Sequence, residues 1–121
     1  MYHGWADPDV PPEDGVRYYE AVERTLGGPG QTTDFFRLFM VPGMGHCGGG
    51  PGPNTFDVVG ALDQWVEHGK APEKIVASHV ANGATDRTRP LCPYPQIAKW
   101  KGSGSIDDAA NFACVDPSRL P

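Results

Sequence analysis

Serine is scarce in this sequence, with four in 121 residues: Ser78, Ser103, Ser105 and Ser118. None sits in a Gly-x-Ser-x-Gly elbow, the strand-turn-helix setting that exposes a nucleophile. There is no cluster of Lys or Arg, and 15 acidic against 10 basic residues leave a formal net charge of −5. Nucleic-acid backbones are bound by concentrated positive charge, so nucleic acid is excluded as a partner. No apolar run approaches the ~20 residues of a membrane-spanning helix, which argues against a membrane partner. Met1-Tyr2-His3-Gly4-Trp5 offers neither the basic nor the apolar stretch of a signal peptide, so an export signal is expected upstream. Cys-x-x-Cys is missing too, which argues against a zinc ribbon or a thioredoxin-type motif.

The 121 residues suffice for one small domain and not for two cores. Gly 16 and Pro 13 make the chain loop-rich, while apolar periodicity argues against disorder. His3 to Asp9 reads as a loop with no strand before it. Pro11-Pro12-Glu13-Asp14 opens a helix, with proline in the first turn and acids at its positive end. Val16, Tyr19, Val22 and Leu26 form its stripe, and Gly27-Gly28-Pro29-Gly30 ends it. Phe35 to Val41 is nearly continuous apolar, the pattern of a strand buried on both faces, with Arg37 in need of a partner. Asn54 or Thr55 is placed as the cap of a second helix, with Asp57 in its first turn and Val58, Leu62, Trp65 and Val66 inward. Lys74 to Val80 reads as a strand, and Asn82-Gly83 as a hairpin turn. Beyond Thr88 the order weakens: Lys99 to Ser105 reads as a loop, and Asp107 to Phe112 as at most a helical turn. Tyr18, Tyr19 and Trp65 are assigned to the core, and His68 and His79 have no partner. Helices alternating with strands make an α/β chain.

Two residues suit acid–base chemistry. A serine hydrolase needs a histidine to take the nucleophile's proton and a carboxylate to fix that histidine's tautomer. In α/β-hydrolases the chain order is Ser, Asp, His. Asp7 and His46 lie 39 residues apart, with one helix and one strand between, which suits adjacent loops on one sheet edge. The blander reading is a turn aspartate and a surface histidine. Asp9 rivals Asp7, although its neighbours Val10 and Pro11 mark it as a turn residue. A metal site at His3, Asp7 and His46 is a weaker alternative.

The words around these residues add more. His3-Gly4-Trp5-Ala6-Asp7 and Val41-Pro42-Gly43-Met44-Gly45-His46-Cys47 resemble the tannase/feruloyl esterase family of α/β-hydrolases. Arg87 to Pro95, Gly102 to Ser105 and Ile106 to Phe112 resemble the C-terminal stretch of the same enzymes, so the likeness covers almost the whole chain. It implies that Asp7 and His46 are the triad acid and base. It implies that Cys47 pairs with a cysteine next to the nucleophilic serine, in a part of the protein that precedes this chain. It also supports a Cys92–Cys114 bridge, against the alternative of two reduced core cysteines.

Residues 1–121 are therefore expected to be the C-terminal segment of an α/β-hydrolase catalytic domain: sheet, flanking helices and a disulfide-stapled C-terminal hairpin. The N-terminal half and the lid would lie outside it. The expected activity is a serine carboxylic-ester hydrolase, secreted or periplasmic, acting on small esters of aromatic acids. The chain alone is expected to be inactive and to work with the missing N-terminal part. No cofactor is expected in this segment; calcium, where such enzymes carry it, is implied in the lid. The rival readings are a non-catalytic remnant or binding fragment, and another α/β-hydrolase-fold acyltransferase or peptidase. Bare apolar surface is expected where the missing half would pack.

Overall fold

The computed structural model describes residues 1–120. Its first element is a strand, β1 (Tyr2–Gly4), which pairs parallel with β2 (Phe39–Val41) in the register Tyr2 to Phe39, His3 to Met40 and Gly4 to Val41. The start of the chain is therefore a strand running into a loop, not a loop alone. Between them lie α1 (Pro12–Thr25) and a single turn, α2 (Pro29–Thr32). Pro12 stands at the first position of α1, with Glu13 and Asp14 in the first turn.

β2 is buried on both faces, as its apolar run predicts. Alternation divides it between two clusters. Phe39 and Val41 join Met44, Ile75, Ala77 and Leu91, with Phe56 and Ala61 packed alongside. Met40 joins Leu38 and Tyr19, with Val16, Phe36 and Tyr94 alongside. The strand is shorter than the run, because the amides of Phe35 and Phe36 donate to the Thr32 carbonyl and prolong the turn after α2. Phe35 is left exposed. Arg37 finds its partners in the carbonyls of Thr33 and Pro72 and stacks over Trp65 at 5.3 Å.

α3 (Val58–His68) starts a turn later than the Asn54-Thr55 signal. Asp57 is the cap and accepts from the Gly60 amide at 2.8 Å. The earlier pair is occupied elsewhere: the amides of Asn54 and Thr55 donate to the Ser78 carbonyl, and the Ser78 amide donates to Thr55. No residue of α3 is buried. Val59, Leu62 and Val66 are exposed, Trp65 is half-buried, and Tyr18 of α1 is also outside the core.

β3 (Ile75–Ala81) and β4 (Ala84–Leu91) form an antiparallel hairpin about Asn82-Gly83, both at positive φ. β3 thus belongs to a separate two-stranded sheet and not to a parallel sheet with β2. A second hairpin, the third strand pair, joins β5 (Ile97–Trp100) to β6 (Phe112–Val115). Lys99 and Trp100, read as loop, are its strand residues. Cys92 and Cys114 are bonded, with Cα atoms 5.5 Å apart, and tie β6 to the end of β4. The segment carries mixed helices and strands, as an α/β chain should, but among the described residues its sheets are three separate pairs.

Candidate active site

The parallel pairing of β1 and β2 brings two loops to one edge. The Trp5 amide donates to the Val41 carbonyl at 2.9 Å, and the Ala6 amide to the Met44 carbonyl at 3.0 Å. The loop after β1 carries Asp7, and the loop after β2 carries His46. Gly4 is the point of closest approach. A Cβ there would lie 2.2 Å from the Met44 carbonyl oxygen and 2.5 Å from that of Gly45, both backbone atoms that cannot swing aside. Gly4→Ala is expected to prise the loops apart at a cost of roughly 1–3 kcal/mol. A lowered denaturation midpoint with unchanged slope checks this.

Asp7 is held from four directions. Its Oδ1 accepts from the amides of Asp9 at 2.9 Å and Val10 at 3.0 Å. Its Oδ2 accepts from His46 Nδ1 at 2.9 Å and His3 Nε2 at 3.1 Å. The side chain is 3% exposed. Desolvation pushes its pKa up, but the Val10 and Asp9 amides and the hydrogen bond and charge of His46 outweigh it. The net effect holds the carboxyl well below the usual carboxylate range, so Asp7 stays ionised wherever an imidazole can act as a base.

The Asp7 carboxylate makes His46 Nδ1 a donor and leaves Nε2 as the basic atom. Among the described residues Nε2 has no hydrogen-bond partner, and the His46 side chain is 48% exposed. A shallow cavity of about 200 Å³ opens between this pair, Val10 and Cys47. A larger one of about 440 Å³ lies between Trp5, Arg89 and Phe112, and it does not contain the pair.

The sequence candidates separate clearly. Asp7 and His46 come together. Asp9 contributes its amide to Asp7, as a turn residue does. Ligand atoms of Asp7, Asp9 and His46 lie within 4.8 Å of one another, but both Asp7 oxygens already accept two donors each. The geometry is that of a carboxylate gripping imidazoles. Cys47 is exposed, free and at φ 59°, a left-handed conformation uncommon outside glycine. His79 does have a partner, Asp86, at 2.6 Å. Counting outward from the Asn82-Gly83 turn would set residue 79 against residue 86, but a bulge between His79 and Val80 puts His79 opposite Arg87, and Asp86 reaches the ring from the neighbouring position. The grip of His3 on Asp7 is not apparent from the motif alone, although four residues spanning a tight turn bring the two within reach.

Known proteins share this pattern of sequence and fold. A family model described as "Tannase and feruloyl esterase" matches residues 1–115. An uncharacterised esterase of Xanthomonas campestris pv. campestris is 47% identical across 98% of this chain, which corresponds to 26% of that protein. The mono(2-hydroxyethyl) terephthalate hydrolase of Piscinibacter sakaiensis is 48% identical across 97% of this chain and 19% of its own length. The crystal structure of feruloyl esterase B from Aspergillus oryzae superposes with a TM-score of 0.86 at 30% identity, over 94% of this chain and 26% of that one. The chain thus spans about a quarter or less of the relatives it matches. No described helix is long and apolar enough to cross a membrane. With the family's pattern matched from the first strand to the last, the chain belongs to the tannase and feruloyl esterase family.

Proposed function

We propose that residues 1–121 are the C-terminal part of the catalytic domain of a serine carboxylic-ester hydrolase and supply its acid and base. The observation that carries this is the contact between buried Asp7 and His46 Nδ1, with Nε2 left free on a half-exposed ring. The nucleophilic serine comes from a preceding segment, tethered beside His46 through Cys47. Its hydroxyl oxygen attacks the ester carbonyl carbon while its proton passes to His46 Nε2. The tetrahedral intermediate then expels the alcohol oxygen, which receives that proton from Nε2. Water, deprotonated at the same nitrogen, attacks the acyl carbon, and the serine oxygen leaves with that proton as the free acid forms. Asp7 stabilises the imidazolium in both halves.

The substrates are small esters of aromatic acids, such as a hydroxycinnamate or a gallate. The names of the relatives, which cover feruloyl and terephthalate esters, support this class. The Cys92–Cys114 bridge fits an oxidising compartment, so the protein is assigned to the periplasm or the exterior.

Two polypeptides test the assignment: this chain alone, and this chain extended by the segment that precedes it in the gene. Aryl-ester hydrolysis is expected only from the longer one. Turnover by the 121 residues alone would place the nucleophile inside them and overturn the assignment.

A further inference from the structure

We propose that His3 is a positioning residue for the acid: its Nε2–H holds the same Asp7 oxygen that binds His46, and so locks the carboxylate in the orientation that selects the His46 tautomer. The inference rests on reading Asp7 and His46 as acid and base.

A carboxylate has about four lone-pair sites. On Asp7 all four are engaged: two by backbone amides at Oδ1 and two by imidazoles at Oδ2. The two imidazoles are unequal. The His46 side chain is 48% exposed and sits on a glycine-rich loop, whereas the His3 side chain is 15% exposed. His3 lies within β1, paired to Met40 of β2. It is the better anchored of the two donors, and without it Oδ2 would be held only by the ring whose orientation it is meant to set.

The fold makes room for this ring at a specific place. Gly15 lies inside α1, where glycine costs about 1 kcal/mol relative to alanine. A Cβ on Gly15 would lie 2.6 Å from His3 Nδ1. The glycine leaves the space that the imidazole fills, and α1 backs the ring against Asp7. With Nε2 spent on Asp7 and Nδ1 turned to the helix, His3 has no nitrogen left for the substrate. It acts on the reaction only through Asp7.

The test reads the histidine tautomers directly, by ¹⁵N NMR of histidine-labelled complete protein, this chain together with the segment that precedes it. The expected state has His46 as the Nδ1–H tautomer and His3 as the Nε2–H tautomer. His3→Leu fills the space without a donor and is expected to lower the His46 Nδ1–H fraction by about half or more. His3→Asn keeps the polarity but stops short of Oδ2, and the same loss is expected should the leucine variant unfold β1. His3→Gln, whose amide nitrogen falls where Nε2 lies, is expected to restore the wild-type fraction. A purely space-filling His3 would be replaced by leucine without effect on the tautomer.

If both His3→Leu and His3→Asn leave the fraction unchanged while Asp7→Asn abolishes it, the role of His3 is overturned and the acid–base pair stands. His3 loses that role equally if His3→Gln behaves like His3→Leu. If Asp7→Asn also leaves His46 unchanged, the pair itself is overturned, and this inference with it.

Discussion

If the complete protein is the proposed esterase, replacing Asp7 by asparagine in it is expected to lower kcat by about 10⁴-fold, with KM nearly unchanged. The size follows from the way the site is wired. The amides of Asp9 and Val10 both donate to Oδ1 and accept nothing. They will hold the oxygen of an asparagine and turn its NH2 towards His46. Facing a donor, Nδ1 must become the acceptor, and the proton moves to Nε2. That is the nitrogen the proposed serine needs bare, so the variant would hold the proposed base in the wrong tautomer while the loop keeps its shape. Because the defect is in the proton-transfer step, it should appear in kcat. A loss of less than tenfold, or one confined to KM, would remove Asp7 from the acid's role.

The second large effect concerns stability. Replacing both Cys92 and Cys114 by alanine is expected to cost about 3.4 kcal/mol, the chain-entropy value for a closed ring of about 23 residues. The ring encloses β5 and nearly all of β6, a hairpin whose strands show little alternation of their own. Cys92 is buried at the end of β4, so the bridge also anchors that hairpin to the larger cluster. The measurement is the shift of the urea midpoint. A shift worth less than about 1 kcal/mol would mean that the hairpin docks without the ring.

The legible parts of this chain are those written in local chemistry. Pro12 with Glu13 and Asp14 marks the start of α1, and Asn82-Gly83 marks the turn of a hairpin whether or not anything packs on it. β2 is legible because a strand buried on both faces must be apolar at every position, and Leu38 to Val41 is. β5 is hidden because Lys99 and Trp100 carry no alternation; they are strand residues only because Ala113 and Phe112 lie opposite them. The start of α3 is obscured for a similar reason. Asn54 and Thr55 have the chemistry of caps, but Ser78 claims their amides from a distant strand.

The inward face that helical spacing assigns to α3 is a local reading of a non-local property. Leu62 and Val66 recur at helical spacing, yet neither is buried against the described residues. At the site, Asp7 and His46 are legible because loop sequence and chain order are local. The second imidazole on Asp7 is not, because its meaning depends on how β1 and α1 pack, which shows in the sequence only as a glycine at position 15.

The backbone bonds that join Trp5 to Val41 and Ala6 to Met44 have an evolutionary consequence. They close the loops that carry Asp7 and His46 into one unit, and the turn at Gly27-Gly28 is a detour in the chain between them. Lengthening a detour costs only the logarithm of its length. Related chains can insert or delete residues near Gly27-Gly28, where the turn is exposed, and keep the same distance between Asp7 and His46. An insertion at that turn is expected to leave the contact of Asp7 with His46 in place, whereas a side chain at Gly4 would drive Met44 away.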